Sequence, residues 1–180
     1  MDNIYPNNID RTIFFSRDKA KYISLKAKAM ETCRNMINQQ YIDTAFKNFQ
    51  KGYLYKDEDG DFLGFCIWKE HKDIQKDGTF LKKLHITLIC ADYNNYNLGR
   101  KILYDIESYC INNNFSLITL EAANNDLVKY YEKGEFTLTN KITKEMIKEV
   151  RILTFHRKNS KTRKIKRTSI NTINLEEVDI

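Results

Sequence analysis

LHITLICADYNNYNLGRKILYDIESYC (residues 84–110) and INNNFSLITLEAANNDLVKYYEKGEF (residues 111–136) decide how this chain folds. An apolar strand, Leu84–Cys90, empties through Asp92–Gly99 directly into a helix. The first backbone N–H groups of a helix have no internal partner and point along its axis. The macrodipole adds roughly half a positive charge there, so the junction suits an anion, a phosphate above all. Gly99 has no Cβ and lets a ligand approach the backbone, and Asn97 tolerates a left-handed conformation. The helix carries Leu98, Ile102, Ile106 and Cys110 on one face with Leu103 alongside. Turn composition alone fits an ordinary strand-to-helix loop equally well.

The second half adds order. Leu117–Glu121 is a strand, Asn124 or Asn125 can cap the next helix, and Leu127, Val128 and Tyr131 share one face of it. That helix stops near Gly134, and Phe136 begins another extended run.

In these two halves the chain resembles the GNAT family of N-acetyltransferases. The family's first signature, Arg/Gln-x-x-Gly-x-Gly/Ala, aligns with Asn94-Asn95-Tyr96-Asn97-Leu98-Gly99, where only the last glycine is kept. Its second, Asn-x-x-Ala-x-x-x-Tyr-Glu-Lys-x-Gly-Phe, is similar to residues 124–136, with Asn124, Tyr131, Glu132, Lys133 and Phe136 in register and Glu135 at the usual glycine. The resemblance implies an α/β (α+β) fold: a central mixed, mostly antiparallel sheet, helices on both faces, and fourth and fifth strands splayed near Ile89. It implies acetyl-CoA as co-substrate, held by Leu88, Ile89 and Cys90 of the fourth strand, by Asn94–Lys101 (Asn94, Asn95, Tyr96, Asn97, Leu98, Gly99, Arg100 and Lys101) and by Asn124. No metal is implied.

The remaining sequence accords with one domain over residues 1–156. Thr12–Phe15 reads as a strand, and Ser16 as the cap of a helix from about Arg17 to Arg34 with Tyr22, Ala29 and Cys33 among its apolar positions. Ile42–Phe49 is a second helix. Tyr53–Tyr55 and Phe62–Trp68 flank the acidic turn Asp57–Asp61 as a hairpin, and Lys148–His156 reads as a last strand. The turn's resemblance to a calcium loop lacks the downstream ligands.

No apolar run approaches the ~20 residues that span a bilayer, and the N-terminus has no signal-peptide pattern. Cys33, Cys66, Cys90 and Cys110 lie far apart in apolar contexts, which predicts buried, reduced thiols and an intracellular, cytoplasmic protein.

The 180 residues hold 30 Lys and Arg against 24 Asp and Glu. Seven of the cations fall in residues 157–167, leaving 23 against 21 anions in residues 1–156. The basic character therefore belongs to residues 157–180, read as a solvated, flexible tail. Nucleic acid or an acidic partner at residues 157–167 is the alternative. No aromatic interleaves those cations, so a base-stacking platform is absent.

Membership of the family implies attack of a substrate amine on a thioester, with Tyr131 where the family places the acid that protonates the thiolate. From the helix pattern taken by itself, Tyr131 reads as a core tyrosine. Freeing a lysine-type amine at pH 7 costs about 4.6 kcal/mol and an α-amine about 1.4, so a base is wanted. Alternation puts Leu84, Ile86, Leu88 and Cys90 on one strand face and His85, Thr87 and Ile89 on the other, which makes His85 the candidate base. A histidine bonded into the sheet is the plain alternative. Glu70 and His71, after the third strand, read as a solvated turn. The function expected is N-acetylation of a primary amine of a protein, peptide or small molecule. The rivals are a GNAT-like fold that has lost the co-substrate, or a nucleic-acid or virion-associated protein acting through the basic tail.

Overall fold

A computed structural model describes residues 9–33, 37–91, 97–150, 152–156 and 164–168. In chain order the elements are β1 (Asp10–Phe15), α1 (Lys19–Thr32), α2 (Gln39–Asn48), β2 (Lys51–Lys56), β3 (Phe62–Ile74), β4 (Phe80–Ala91) and α3 (Leu98–Asn112). They continue with β5 (Leu117–Glu121), α4 (Asn125–Glu132), β6 (Thr137–Asn140), β7 (Glu145–Glu149), β8 (Ile152–His156) and β9 (Lys164–Thr168). Seven strands form one sheet in the order β1-β2-β3-β4-β5-β7-β6. Every neighbouring pair in it is antiparallel except β4–β5. This is the mixed, mostly antiparallel sheet that the family resemblance implies.

Each face of the sheet has its own core. Leu25 and Ala29 of α1 and Ile42, Ala45 and Phe46 of α2 pack with Phe14, Phe65, Ile67, Leu88 and Cys90. Ile102, Ile106 and Cys110 of α3 and Val128 and Tyr131 of α4 pack with Tyr55, Trp68, Leu84 and Ile86. At about 25 cal/mol per Å2 of apolar surface removed from water, neither helix pair would hold without its face.

The strand β4 serves both cores, and a bulge is the reason. Ile67 of β3 faces Leu88 and Trp68 faces Ile86, so Thr87 has no opposite residue on β3. An extra residue rotates everything beyond it by one face. The four alternating apolar residues therefore split, Leu84 and Ile86 toward α3 and Leu88 and Cys90 toward α1 and α2. The expected single apolar face is corrected accordingly: His85 and Ile89 do not share a face.

Other expectations change in detail. α1 starts at Lys19, capped by Asp18 and not by Ser16, because Asp18 Oδ1 accepts from Lys21 N. β3 runs on to Ile74, so Glu70 and His71 are strand residues and not a turn. Glu70 accepts from Tyr109 Oη (2.8 Å) and Trp68 Nε1 (3.2 Å) and pairs with Lys51 (2.9 Å). Burial pushes its carboxyl up, but bonds from Lys51, Tyr109 and Trp68 outweigh it and hold it below the usual range. The expected last strand, Lys148–His156, is two elements. β7 ends at Glu149, and β8 pairs with β9 in a separate two-stranded sheet, so part of the basic segment is strand. Residues 157–163 and 169–180 lie outside the described residues.

The cysteines are corrected too. Cys33 and Cys90 form a disulfide, while Cys66 and Cys110 are free and buried. The bridge removes the support that the cysteine pattern lent to a reducing compartment.

After α4 the chain turns through Glu135 at φ 67°, while Gly134 keeps a negative φ. The left-handed conformation costs an L-residue about 1–2 kcal/mol, and glycine does not pay it. Glu135→Gly is expected to stabilise the fold by about 1 kcal/mol, read as a raised urea midpoint at unchanged slope. A lowered midpoint would mean that the long contact from Glu135 to Lys148, 3.6 Å, matters more than the backbone.

Candidate functional site

The register of β4 with β5 ends at Ile86 and Leu120. Beyond that row the two strands separate, and a cleft of about 310 Å3 fills the gap. β4 contributes Ile86–Ile89 to its walls, β5 and the following residues contribute Glu121–Ala123, and Thr143 and Lys144 also line it. Tyr41 enters from α2 on one side of the sheet, and Leu127 and Tyr131 enter from α4 on the other. The separation expected near Ile89 thus begins three residues earlier.

Tyr131 is buried at 8% exposure, packed edge-on to Tyr130 (5.4 Å) and tilted on Phe136 (5.8 Å). Burial foremost, then the neighbouring Cys66, Tyr130 and Tyr41, pushes its phenol well above the ordinary tyrosine range. It therefore stays protonated at every pH where the protein would work. α4 is held in place by Asn124, whose Oδ1 accepts from Leu127 N at 2.8 Å. The cap is Asn124 and not Asn125, and its side-chain oxygen is committed to the helix.

The other mouth of the cleft faces α2. Tyr41 Oη donates to the Thr87 carbonyl at 3.2 Å. The hydroxyl of Thr87 is buried with no hydrogen-bond partner. Burial and the Glu121 carboxylate raise the pKa of Tyr41. Glu121 stands opposite Glu145 across β5–β7, a like-charge pair that a β-ladder does not favour.

α3 begins at the same end of the sheet. Its first intrahelical bond is Lys101 N to Asn97 O at 3.1 Å, so the N–H groups of Leu98, Gly99 and Arg100 are directed out of the helix start. Asn97 sits at φ −114°, ψ −3°, on the right-handed side, and does not use the left-handed freedom expected of it. A Cβ on Gly99 would lie 2.6 Å from Tyr130 Oη, so α4 abuts the first turn of α3 and only glycine fits without moving that tyrosine.

The residues singled out in the sequence fare differently. Ile89, Leu88 and Tyr131 line the cleft. Cys90 is bridged to Cys33 and points to the α1 and α2 core. Leu98 is a core residue at 1% exposure. Lys101 Nζ lies 3.2 Å from the buried Asp105, which also holds Arg11 (2.9 Å) and Tyr55 (3.0 Å). Arg100 is exposed beside the helix start. Asn94, Asn95 and Tyr96 lie outside the described residues. His85 is one row below the cleft on the face that carries α1 and α2, with Nδ1 3.0 Å from Thr119 Oγ1. It borders a separate hollow with His71 and Glu145. Burial, then the charges of His71 and Lys69, lowers its pKa, so the imidazole is neutral at pH 7.

Tyr41, Thr87 and Glu121 were not found from sequence. Tyr41 and Thr87 are 46 residues apart, and no local pattern announces their contact. Among the described residues no group of three or more His, Cys, Asp or Glu could hold a metal ion, and no helix is long and apolar enough to cross a membrane.

No protein-family model matches the chain, and no curated protein matches it in sequence. Solved structures do. The chain is similar to a GNAT-family N-acetyltransferase (YhbS) from Escherichia coli in complex with CoA, at TM-score 0.58 and 10% identity over 83% of this chain and 86% of that one. It is similar to the catalytic domain of the Tetrahymena GCN5 histone acetyltransferase in complex with coenzyme A, at TM-score 0.54 and 14% identity over 78% and 81%. A GNAT-family acetyltransferase from Listeria monocytogenes gives TM-score 0.54 and 16% identity over 77% and 94%. At these identities the likeness shows the fold: this chain has the fold of GNAT-family acetyltransferases.

Proposed function

We propose that this protein is an acetyl-CoA-dependent N-acetyltransferase that passes the acetyl group directly to a primary amine. The observation that carries this reading is the parting of β4 from β5 after Ile86 and Leu120, with Tyr131 closing one side of the gap. Unpaired strand edges offer backbone donors and acceptors to a pantetheine arm, as they would to another strand. The start of α3 at Leu98–Arg100 offers N–H groups to the pyrophosphate. The partnerless Thr87 hydroxyl fits the same reading, since a guest in the cleft can offset a buried, unpaired polar atom.

In the reaction the amine nitrogen attacks the thioester carbonyl carbon. The N–C bond forms, the C–S bond breaks, and the departing thiolate takes the proton of Tyr131 Oη. The amine gives up its surplus proton to a base; His85 stands one row below the cleft on a neighbouring hollow, and it is proposed for that role through an intervening water. Its lowered pKa leaves an imidazole nitrogen free to accept at pH 7. A backbone N–H of β4 near Ile89 is proposed as the donor to the thioester oxygen.

The test is calorimetric titration of the full chain with acetyl-CoA, CoA and ATP. Micromolar binding of the first two and none of ATP is expected. No heat with acetyl-CoA or CoA would overturn the reading.

A further inference from the structure

We infer that Tyr41 is a positioning residue for the acetyl transfer proposed above, fixing the β4 bulge at Thr87 that forms one wall of the acetyl pocket. The inference rests on that reading.

Three observations support it. First, Thr87 has no opposite residue on β3, and the pairing of β4 with β5 has already ended at Ile86. A bulged residue free of both ladders has a peptide orientation that the sheet does not fix. Tyr41 Oη supplies the missing restraint at 3.2 Å from the Thr87 carbonyl. A peptide group is planar, so holding the Thr87 carbonyl fixes the whole Thr87–Leu88 peptide plane at this one point of the cleft wall.

Second, Tyr41 is itself anchored. Asn38 caps α2 by accepting from Tyr41 N at 2.7 Å, so the ring projects from a fixed point of the backbone. Burial and Glu121 keep its phenol protonated, and the bond to Thr87 persists through neutral and mildly alkaline pH.

Third, the bulge is incomplete as it stands. Tyr41 satisfies the carbonyl of Thr87, but Thr87 Oγ1 is buried without a partner. A fold that holds one polar atom of a residue by a side chain from another layer, and leaves the next unpaired beside a cleft, has a place prepared for a guest. Tyr41 and Tyr131 reach this cleft from opposite faces of the sheet. Tyr131 would act on the departing sulfur, and Tyr41 through the backbone.

The experiment compares Tyr41→Phe with the parent for acetyl-CoA and CoA binding, with Tyr22→Phe as a control. Tyr22 packs against Phe46 and Phe49 in the same α1 and α2 core and does not line the cleft. Tyr41→Phe is expected to bind acetyl-CoA roughly tenfold more weakly while CoA affinity changes less than about twofold. Both affinities should be unchanged in Tyr22→Phe. A general loosening of the fold would weaken both ligands together, so the ratio separates positioning from stability. Equal losses for the two ligands, or no loss for either, would overturn the role of Tyr41. A parent protein that binds neither ligand would overturn the acetyl-CoA reading first, and this inference with it.

Discussion

Tyr131→Phe should turn over acetyl-CoA about 10²–10⁴-fold more slowly than the parent, the usual range for removal of a positioned acid. Its affinity for acetyl-CoA should hardly change. Phenylalanine keeps the ring packing on Tyr130 and Phe136 and removes only the hydroxyl, so the fold should persist. The proton that a departing thiolate would take is the only thing lost. Burial makes Tyr131 a weaker acid than a free phenol, which opposes the transfer. A thiolate leaving beside this buried phenol would be desolvated as well, which raises its basicity and favours the transfer. The parent's rate should therefore show no loss of the acid as pH rises through 10, the ordinary tyrosine value, because the group titrates above it. Single-turnover kinetics would read both effects. Unchanged turnover would remove Tyr131 from the chemistry.

Gly99→Glu should abolish acetyl-CoA and CoA binding while leaving the fold intact. The new carboxylate would lie where the start of α3 is proposed to hold the pyrophosphate. Two like charges about 4 Å apart near a protein surface repel by about 4 kcal/mol, so a loss of a hundredfold or more is expected. The added Cβ must also displace Tyr130 Oη, 2.6 Å away. Stability should not suffer in proportion. The first turn of α3 carries no acid, and a glutamate there interacts favourably with the helix dipole by about 0.3–1 kcal/mol and is a better helix former than glycine. Lost binding with an unchanged or raised Tm would support the phosphate site. Normal binding would mean that the anion, if one binds, sits elsewhere.

Much of the fold was legible because it depends on local rules. The buried face of α3 follows from the spacing of Leu98, Ile102, Ile106 and Cys110, and all four are buried. A cap at Asn124 or Asn125 follows from a short polar side chain ahead of an amphipathic run, and the structure assigns it to Asn124. The β2–β3 hairpin followed from its acidic, glycine-bearing turn, where Gly60 takes φ 83°.

What escaped is non-local. The bulge at Thr87 leaves the alternation of β4 unbroken in the sequence and breaks it only in space. β3 reads as ending at Trp68 because Lys69–Asp73 is charged, yet those residues pair with His85–Leu81. Cys33 and Cys90 are 57 residues apart, and no spacing rule joins them. At the candidate site the family resemblance offered Tyr131 from α4, and neither it nor the local pattern offered Tyr41 from the opposite side of the sheet.

The bulged strand β4 also has a kinetic consequence. β3 and β4 are joined by the short turn Gln75–Thr79, so their hairpin closes a small loop and can form early. One edge of that hairpin then offers a seed to each core: Leu84 and Ile86 to α3, Leu88 and Cys90 to α1 and α2. The chain segments on either side of it can condense independently on a common template. Substitutions in β4 should therefore slow folding more than equally buried substitutions in the helices, whose losses should appear mainly as faster unfolding.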